Sequence, residues 1–133
     1  MWYKVKFTRD EQIENKIVHQ TLYYLIDTDD FATAGYKVLE YWNNDGEVED
    51  VCLMKSYKPL GNEKYSDDNK VFIVKVATDF VDDGGKVKTI KYPLPFYANN
   101  NTELQKILEN FISQGMEDMR VTTISETKWE IIE

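Results

Sequence analysis

The second half of this chain repeats the pattern of the first about 70 residues on, with little identity but in several separate segments. Tyr3-Lys4-Val5-Lys6-Phe7 lines up with Phe72-Ile73-Val74-Lys75-Val76, and Leu22, Tyr24 and Ile26 line up with Tyr92, Leu94 and Phe96. The run Ala34, Val38, Tyr41, Trp42 matches Leu104, Leu108, Phe111, Ile112. Gly46 then matches Gly115, and Val48-Glu49-Asp50-Val51 matches Met116-Glu117-Asp118-Met119. The offset drifts only between 68 and 70 residues. A duplicated unit restricts the fold, because one arrangement must suit both copies.

In the first copy, Trp2 to Thr8 alternates Tyr3, Val5 and Phe7 with Lys4 and Lys6, the pattern of a half-buried strand. The polar stretch Arg9 to Lys16 reads as a long hairpin connection, and Ile17 to Ile26 as a second strand rich in β-branched and aromatic residues. Asp27-Thr28-Asp29-Asp30 opens a helix through about Asn43 with an inward stripe of Phe31, Ala34, Val38 and Tyr41. Gly46 closes it as a left-handed cap, and Val48 to Tyr57 is a third strand.

The second copy follows as Val71 to Thr78, Val87 to Tyr97, a helix from about Thr102 to Gln114, and Met116 to Ile124. Asp82-Asp83-Gly84-Gly85 is its hairpin turn, and Asn100 with Glu103 has capping-box spacing. Pro93 and Pro95, two apart, point their missing N–H groups the same way, which places that strand at an edge. With the first strand of each copy between the second and third, the chain is expected to be α+β: tandem ββαβ units with six mostly antiparallel strands and two helices. Residues 1–60 are the first unit, 61–70 a polar linker and 71–133 the second, packed closely enough to act as one domain. The closing segment carries Trp129, Ile131 and Ile132 and should dock on this fold or on a neighbouring subunit.

Composition excludes more than it assigns. With 133 residues, 42% of them hydrophobic, the chain can bury a core. No apolar stretch approaches the roughly 20 residues needed to span a bilayer, and MWYKVKFTRD lacks the apolar run of a signal peptide, so a cytoplasmic protein is expected. A net charge of −8 repels polyphosphate, and Arg9 and Arg120 are the only arginines, which counts against nucleic-acid readout. Cys52, the single cysteine, is expected to be a buried structural thiol.

No catalytic constellation stands out. His19 has no second imidazole with which to build a metal site or a triad, and it reads as an ordinary strand residue. Asp27, Asp29 and Asp30, with Glu47, Glu49 and Asp50, flank the two ends of a helix. Phe31 and Ala32 break the calcium-loop pattern, so capping and a solvated turn explain these groups. Asp118 with Glu126-Thr127-Lys128 resembles the D…ExK arrangement of metal-dependent nucleases, but the match is short and lacks context. Phosphate loops, dinucleotide turns, nucleophile elbows and the aromatic signature of RNA-binding sheets are absent. The chain is therefore read as a non-enzyme with no cofactor, no metal and no catalytic residue.

What remains is a surface. The sheet face opposite the helices would carry Trp2, Tyr23, Leu25, Met54, Ile73, Val71 and Ile124 among Lys4, Lys6 and Lys75, too apolar for idle solvent. Either two sheets pack there or a partner subunit does. Trp2, Tyr23, Leu25, Met54, Ile73 and Trp129 form the candidate interaction surface.

Met1-Trp2-Tyr3-Lys4-Val5-Lys6, Tyr24-Leu25-Ile26-Asp27 and Ile124-Ser125-Glu126-Thr127 together resemble a domain-of-unknown-function family of gut Bacteroides-type bacteria and their phages, crAss-like phages included. The resemblance covers nearly the whole chain and carries no activity or catalytic residue with it. It implies a phage origin, which fits the AT-rich bias toward Lys, Asn, Asp, Ile and Tyr. The leading expectation is a non-enzymatic interaction or structural protein, a virion component or host-interaction factor with a protein partner or self-association. The alternatives are an acidic nucleic-acid mimic that inhibits a host enzyme and, third, a nucleic-acid-binding module.

Overall fold

Alternating apolar residues make four long strands that pair as two hairpins, each with one helix laid across its apolar face. In the computed structural model, which describes residues 1–54, 58–62, 64–114 and 119–133, the order is β1 (Trp2–Ile13), β2 (Lys16–Asp27), α1 (Phe31–Tyr41), β3 (Glu47–Leu53), β4 (Lys70–Val81), β5 (Val87–Ala98), α2 (Asn101–Gln114), β6 (Met119–Glu126) and β7 (Glu130–Ile132). Among the described residues the fold is α+β, with two helices and seven strands in two sheets. Six strands were expected. The seventh, β7, comes from the closing segment, where Glu130, Ile131 and Ile132 pair with the free edge of β2 and Ile131 is buried.

The chain divides into one unit of residues 1–55 with 128–133 and another of residues 56–127. The expected units ran 1–60 and 71–133. The last residues instead return to the first sheet, where β7 pairs parallel with β2 through Leu25 and Ile131. Strand order is β3-β1-β2-β7 in one sheet and β5-β4-β6 in the other, so each hairpin's first strand lies between its second strand and the strand after the helix. β1 and β4 are antiparallel to both neighbours.

Register shows which residues correspond. Tyr3, Val5 and Phe7 face Ile26, Tyr24 and Leu22, while Phe72, Val74 and Val76 face Phe96, Leu94 and Tyr92. Both sheets shift register at matching places, between Lys6 and Phe7 and between Lys75 and Val76. The third strands match differently from the sequence alignment. Val51 pairs with Val5, and its counterpart opposite Val74 is Ile124, five residues beyond Met119. A longer second helix displaces that strand along the chain. Gly115, Met116, Glu117 and Asp118, like Tyr57 at the expected end of the third strand, lie outside the described residues.

Each unit has its own core: Tyr3, Val5, Phe7, Tyr24 and Ile26 under Ala34 and Val38 in one, and Phe72, Val74, Val76, Leu94 and Phe96 under Leu104 and Leu108 in the other. Burying an aliphatic or aromatic side chain of this size stabilises by about 1.5–3 kcal/mol. Helix entries are set by side-chain caps: Asp30 accepts from the Thr33 N–H at 2.7 Å, and Asn100 from the Glu103 N–H at 2.8 Å.

The end of α1 differs from expectation. Asn43 (φ 52°) and Asn44 (φ 62°) supply the left-handed residues, with N–H bonds from Asn43 to the Glu40 carbonyl and from Asn44 to the Leu39 carbonyl. Gly46 is needed for another reason. A Cβ there would lie 2.2 Å from Phe7 Cζ and 2.6 Å from the Thr8 carbonyl oxygen. Arg9 to Lys16 is not a loop either: β1 and β2 pair through it to a turn at Glu14 (φ 56°). A strand with polar residues on both faces carries no alternation to reveal it. The second turn is as expected, with Asp82 Oδ1 accepting from the N–H groups of Gly84 and Lys86.

Trp42 fills the open end of the first core. It stacks on Phe7 at 6.0 Å, donates from Nε1 to the Tyr24 hydroxyl at 2.8 Å and lies under the Arg9 guanidinium at 4.5 Å. Burial pushes the Tyr24 phenol from its ordinary 10.0 up to about 12, only partly offset by the Trp42 hydrogen bond. A raised phenol favours folding in full below pH 10 and loses that contribution as pH rises through 12. Stability by urea titration should fall between pH 10 and 12 by on the order of 2 kcal/mol more in the wild type than in Tyr24→Phe. Equal falls would show that the phenol carries none of it.

Candidate functional site

The residues expected to form one surface are treated unequally by the fold. Trp2, Tyr23, Leu25, Met54 and Trp129 belong to the first unit. Ile73 is half-buried on β4 of the second, between Pro95 and Ser125. Leu25 is 1% exposed and cannot be touched by a partner, because its place beside Ile131 is interior. Trp2, Tyr23, Met54 and Trp129 are half-buried.

Lys4 draws two of these side chains together. Its Nζ stands 5.0 Å from the Trp129 ring centroid and 5.8 Å from that of Tyr23, and the two rings are 6.2 Å apart. Register explains this, since Tyr23 pairs with Lys6 and Leu25 with Lys4, placing Tyr23 beside the lysine column, and Trp129 directly precedes Glu130, the partner of Tyr24. The cluster pins the start of β7 to β2. Its first effect is thus internal, and both rings are half-buried.

A polar cleft of about 660 Å³ lies where β3 leaves β1, lined by Thr8, Arg9, Asp10, His19, Gln20, Thr21, Asp45, Gly46, Glu47 and Glu49. Arg9 is its centre, donating to Asp45 at 2.8 Å and to Gln20 at 2.9 Å. His19 Nδ1 contacts Asp10, and both side chains are well exposed. Glu49 is held by Lys6 at 3.4 Å and accepts from Thr8 at 3.1 Å. The cleft's charges are thus largely satisfied by one another, and a nucleophile–base–orienter series is not among its described residues.

Other sequence candidates are dispersed. Glu126 pairs with Lys70 at 3.2 Å, Lys128 is exposed, and Asp118 lies outside the described residues. Cys52 is exposed rather than buried, since it falls on the outward face of an edge strand. Its thiol donates to Asp50 at 3.3 Å, and that carboxylate holds the thiol pKa up, which disfavours the reactive thiolate. Among the described residues, no group of three or more His, Cys, Asp or Glu is placed to hold a metal ion, and no helix is long and apolar enough to cross a membrane.

The features least visible in the sequence are the hairpin ends. Ile13 is 48% and Ile17 69% exposed at one end, while the directly paired Val81 and Val87 are 66% and 69% exposed at the other. Phe80 and Ile90 are also exposed on that second hairpin. The sequence signal was a pair of apolar residues astride a turn, which reads equally well as core. No family model matches the chain, and neither does any curated protein or solved structure.

Proposed function

We propose that this chain is a non-enzymatic protein-interaction or structural protein, phage-encoded, serving as a virion component or host-interaction factor and descended from a tandem ββαβ duplication. The observation that carries the interaction reading is that large apolar side chains stand exposed among polar ones at both hairpin ends, with Val81 and Val87 directly paired at one of them. Each strand of the hairpins has twelve residues, roughly 40 Å, whereas the helices have eleven and fourteen, roughly 16 and 21 Å. Much of each hairpin therefore extends past its helix, carrying Ile13 and Ile17 or Val81 and Val87 into solvent. Val81 and Val87 are a cross-strand pair, whereas Ile13 faces Lys16 and Ile17 faces Gln12 on opposite faces of the first hairpin, and exposed apolar side chains so placed are points at which a partner can attach.

The descent is supported by common strand order, by register shifts at Lys6/Phe7 and Lys75/Val76, and by caps at Asp30 and Asn100. The family resemblance and the phage origin rest on the three segments named above. The acidic-mimic reading draws on the −8 charge, but of the acidic groups flanking α1, Glu49 is paired with Lys6 and Asp27 with the N-terminal ammonium.

The test is affinity purification of tagged wild type beside Ile13→Lys/Ile17→Lys and Val81→Lys/Val87→Lys. All four sites are exposed, so stability should change by less than about 0.5 kcal/mol per site. A stoichiometric protein partner is expected with wild type, reduced about tenfold or more in at least one variant. A wild type that stays strictly monomeric and solitary, or a partner indifferent to both variants, would sink the proposal.

A further inference from the structure

The second unit contains an apolar groove of about 330 Å³, lined by Leu60, Tyr92, Leu94, Phe111 and Met119, with exposed Lys58 at its edge. In the first unit the residues matching Leu94 and Phe111 are Tyr24 and Tyr41, and both meet Trp42, which donates to the Tyr24 hydroxyl at 2.8 Å and lies edge-on to Tyr41 at 5.8 Å. There, Phe7 and Trp42 stack at 6.0 Å, with Arg9 laid over Trp42. The register counterpart of Phe7 is Val76, that of Arg9 is Thr78, and Ile112 stands as far beyond Asn100 as Trp42 does beyond Asp30. Three large side chains are thus replaced by three small ones. Phe111 instead turns edge-on to Phe96 at 5.6 Å and forms a wall.

The opposite wall is fixed by backbone. Leu60 donates its N–H to the Pro95 carbonyl at 3.1 Å and accepts from the Tyr97 N–H at 2.8 Å. Gly61 permits this approach, because a Cβ there would stand 2.3 Å from the Tyr97 ring. The groove is therefore built rather than left over, with the Leu60 segment held against the outer edge of β5.

We propose that this groove binds a medium-chain aliphatic carboxylate, its chain against Leu60, Leu94, Phe111 and Met119 and its carboxylate at Lys58. At about 30 Å³ for each water-sized group, 330 Å³ holds roughly ten methylenes. That is the lower end of the range for small-molecule sites. Charge selects the headgroup: among the described residues, Lys58 makes no ion pair and is the one charged side chain lining the groove. An anion that brings its own apolar tail satisfies both features of the groove.

Calorimetric titration of the full chain with decanoate, octanoate and decanol tests this. Decanoate should bind once per chain, and octanoate about tenfold more weakly, at roughly three- to fourfold for each methylene lost. Lys58→Glu, at an exposed site, should weaken decanoate about tenfold and leave decanol unchanged, since only the charged head meets that residue. Leu60→Trp, checked for folding by circular dichroism, should abolish both. Binding without chain-length dependence, or undiminished in Lys58→Glu, would overturn the proposal. Absence of decanoate binding at millimolar concentration would overturn it as well, and a Leu60→Trp change in sedimentation would then assign the groove to a second copy.

Discussion

Gly46→Ala is expected to destabilise the first unit by about 3–5 kcal/mol. Two costs add. At φ +149° a residue with a side chain is strained, by on the order of 1–3 kcal/mol. The new Cβ would also stand 2.2 Å from Phe7 Cζ and 2.6 Å from the Thr8 carbonyl oxygen, neither a flexible side-chain end. Phe7 is fully buried against Trp42, so moving it disturbs the core, and overpacking of this kind costs about 1–3 kcal/mol. Gly85→Ala is the control. Its φ is +79°, but nothing lies within 4 Å of the added Cβ, so only the backbone cost of about 1 kcal/mol remains. Urea unfolding followed by tryptophan fluorescence reports the first unit, which holds Trp2, Trp42 and Trp129, and far-UV circular dichroism reports the control, whose Gly85 lies in the second unit. Equal shifts for the two variants would mean that the contact with Phe7 is not what Gly46 provides.

Trp42→Ala should cost about 2–4 kcal/mol, somewhat below the range for truncating a fully buried aromatic because Trp42 is half-buried. The substitution removes the stack on Phe7, the edge contact with Tyr41 at 5.8 Å and the seat of the Arg9 guanidinium. It also leaves the buried Tyr24 hydroxyl without its indole donor. Trp42→Phe separates these contributions. The ring contacts are kept in part and the hydrogen bond is lost, so about 1–2 kcal/mol is expected. Chevron or equilibrium urea data in which both variants fall below 1 kcal/mol would show that Trp42 sits on the core without supporting it.

Much of the fold could be read from residue order because the strands that face a helix alternate cleanly. Tyr3, Val5 and Phe7 against Leu22, Tyr24 and Ile26 could pair in only one phase, and the structure keeps it. Pro93 and Pro95 likewise identified an edge. β5 is the outer strand, and the Tyr97 N–H two residues on points away from β4 to the Leu60 carbonyl. What was missed lacked that alternation. The outer halves of the hairpins are wet on both faces, so Arg9 to Lys16 resembled a loop. Gly46 after a helix suggested a cap, but asparagines took that role and the glycine answers to Phe7, a residue 39 positions earlier. The candidate surface suffered similarly. A strand pattern assigns Leu25 to a face but does not say what covers that face, and the return of β7 was not visible in the alternation of β2.

That return has a consequence for how the molecule is made. β2 is complete when Asp27 leaves the ribosome, yet its neighbour β7 follows more than a hundred residues later. Until then the β2 edge from Tyr24 to Ile26 stays unpaired while the whole of β4, β5, α2 and β6 is synthesised. Contacts so distant in sequence form slowly, since a long loop must close before they contribute. The unit translated first is therefore the one finished last, and during synthesis its open edge is the place where a nascent chain of this protein is most exposed to pairing with the wrong strand.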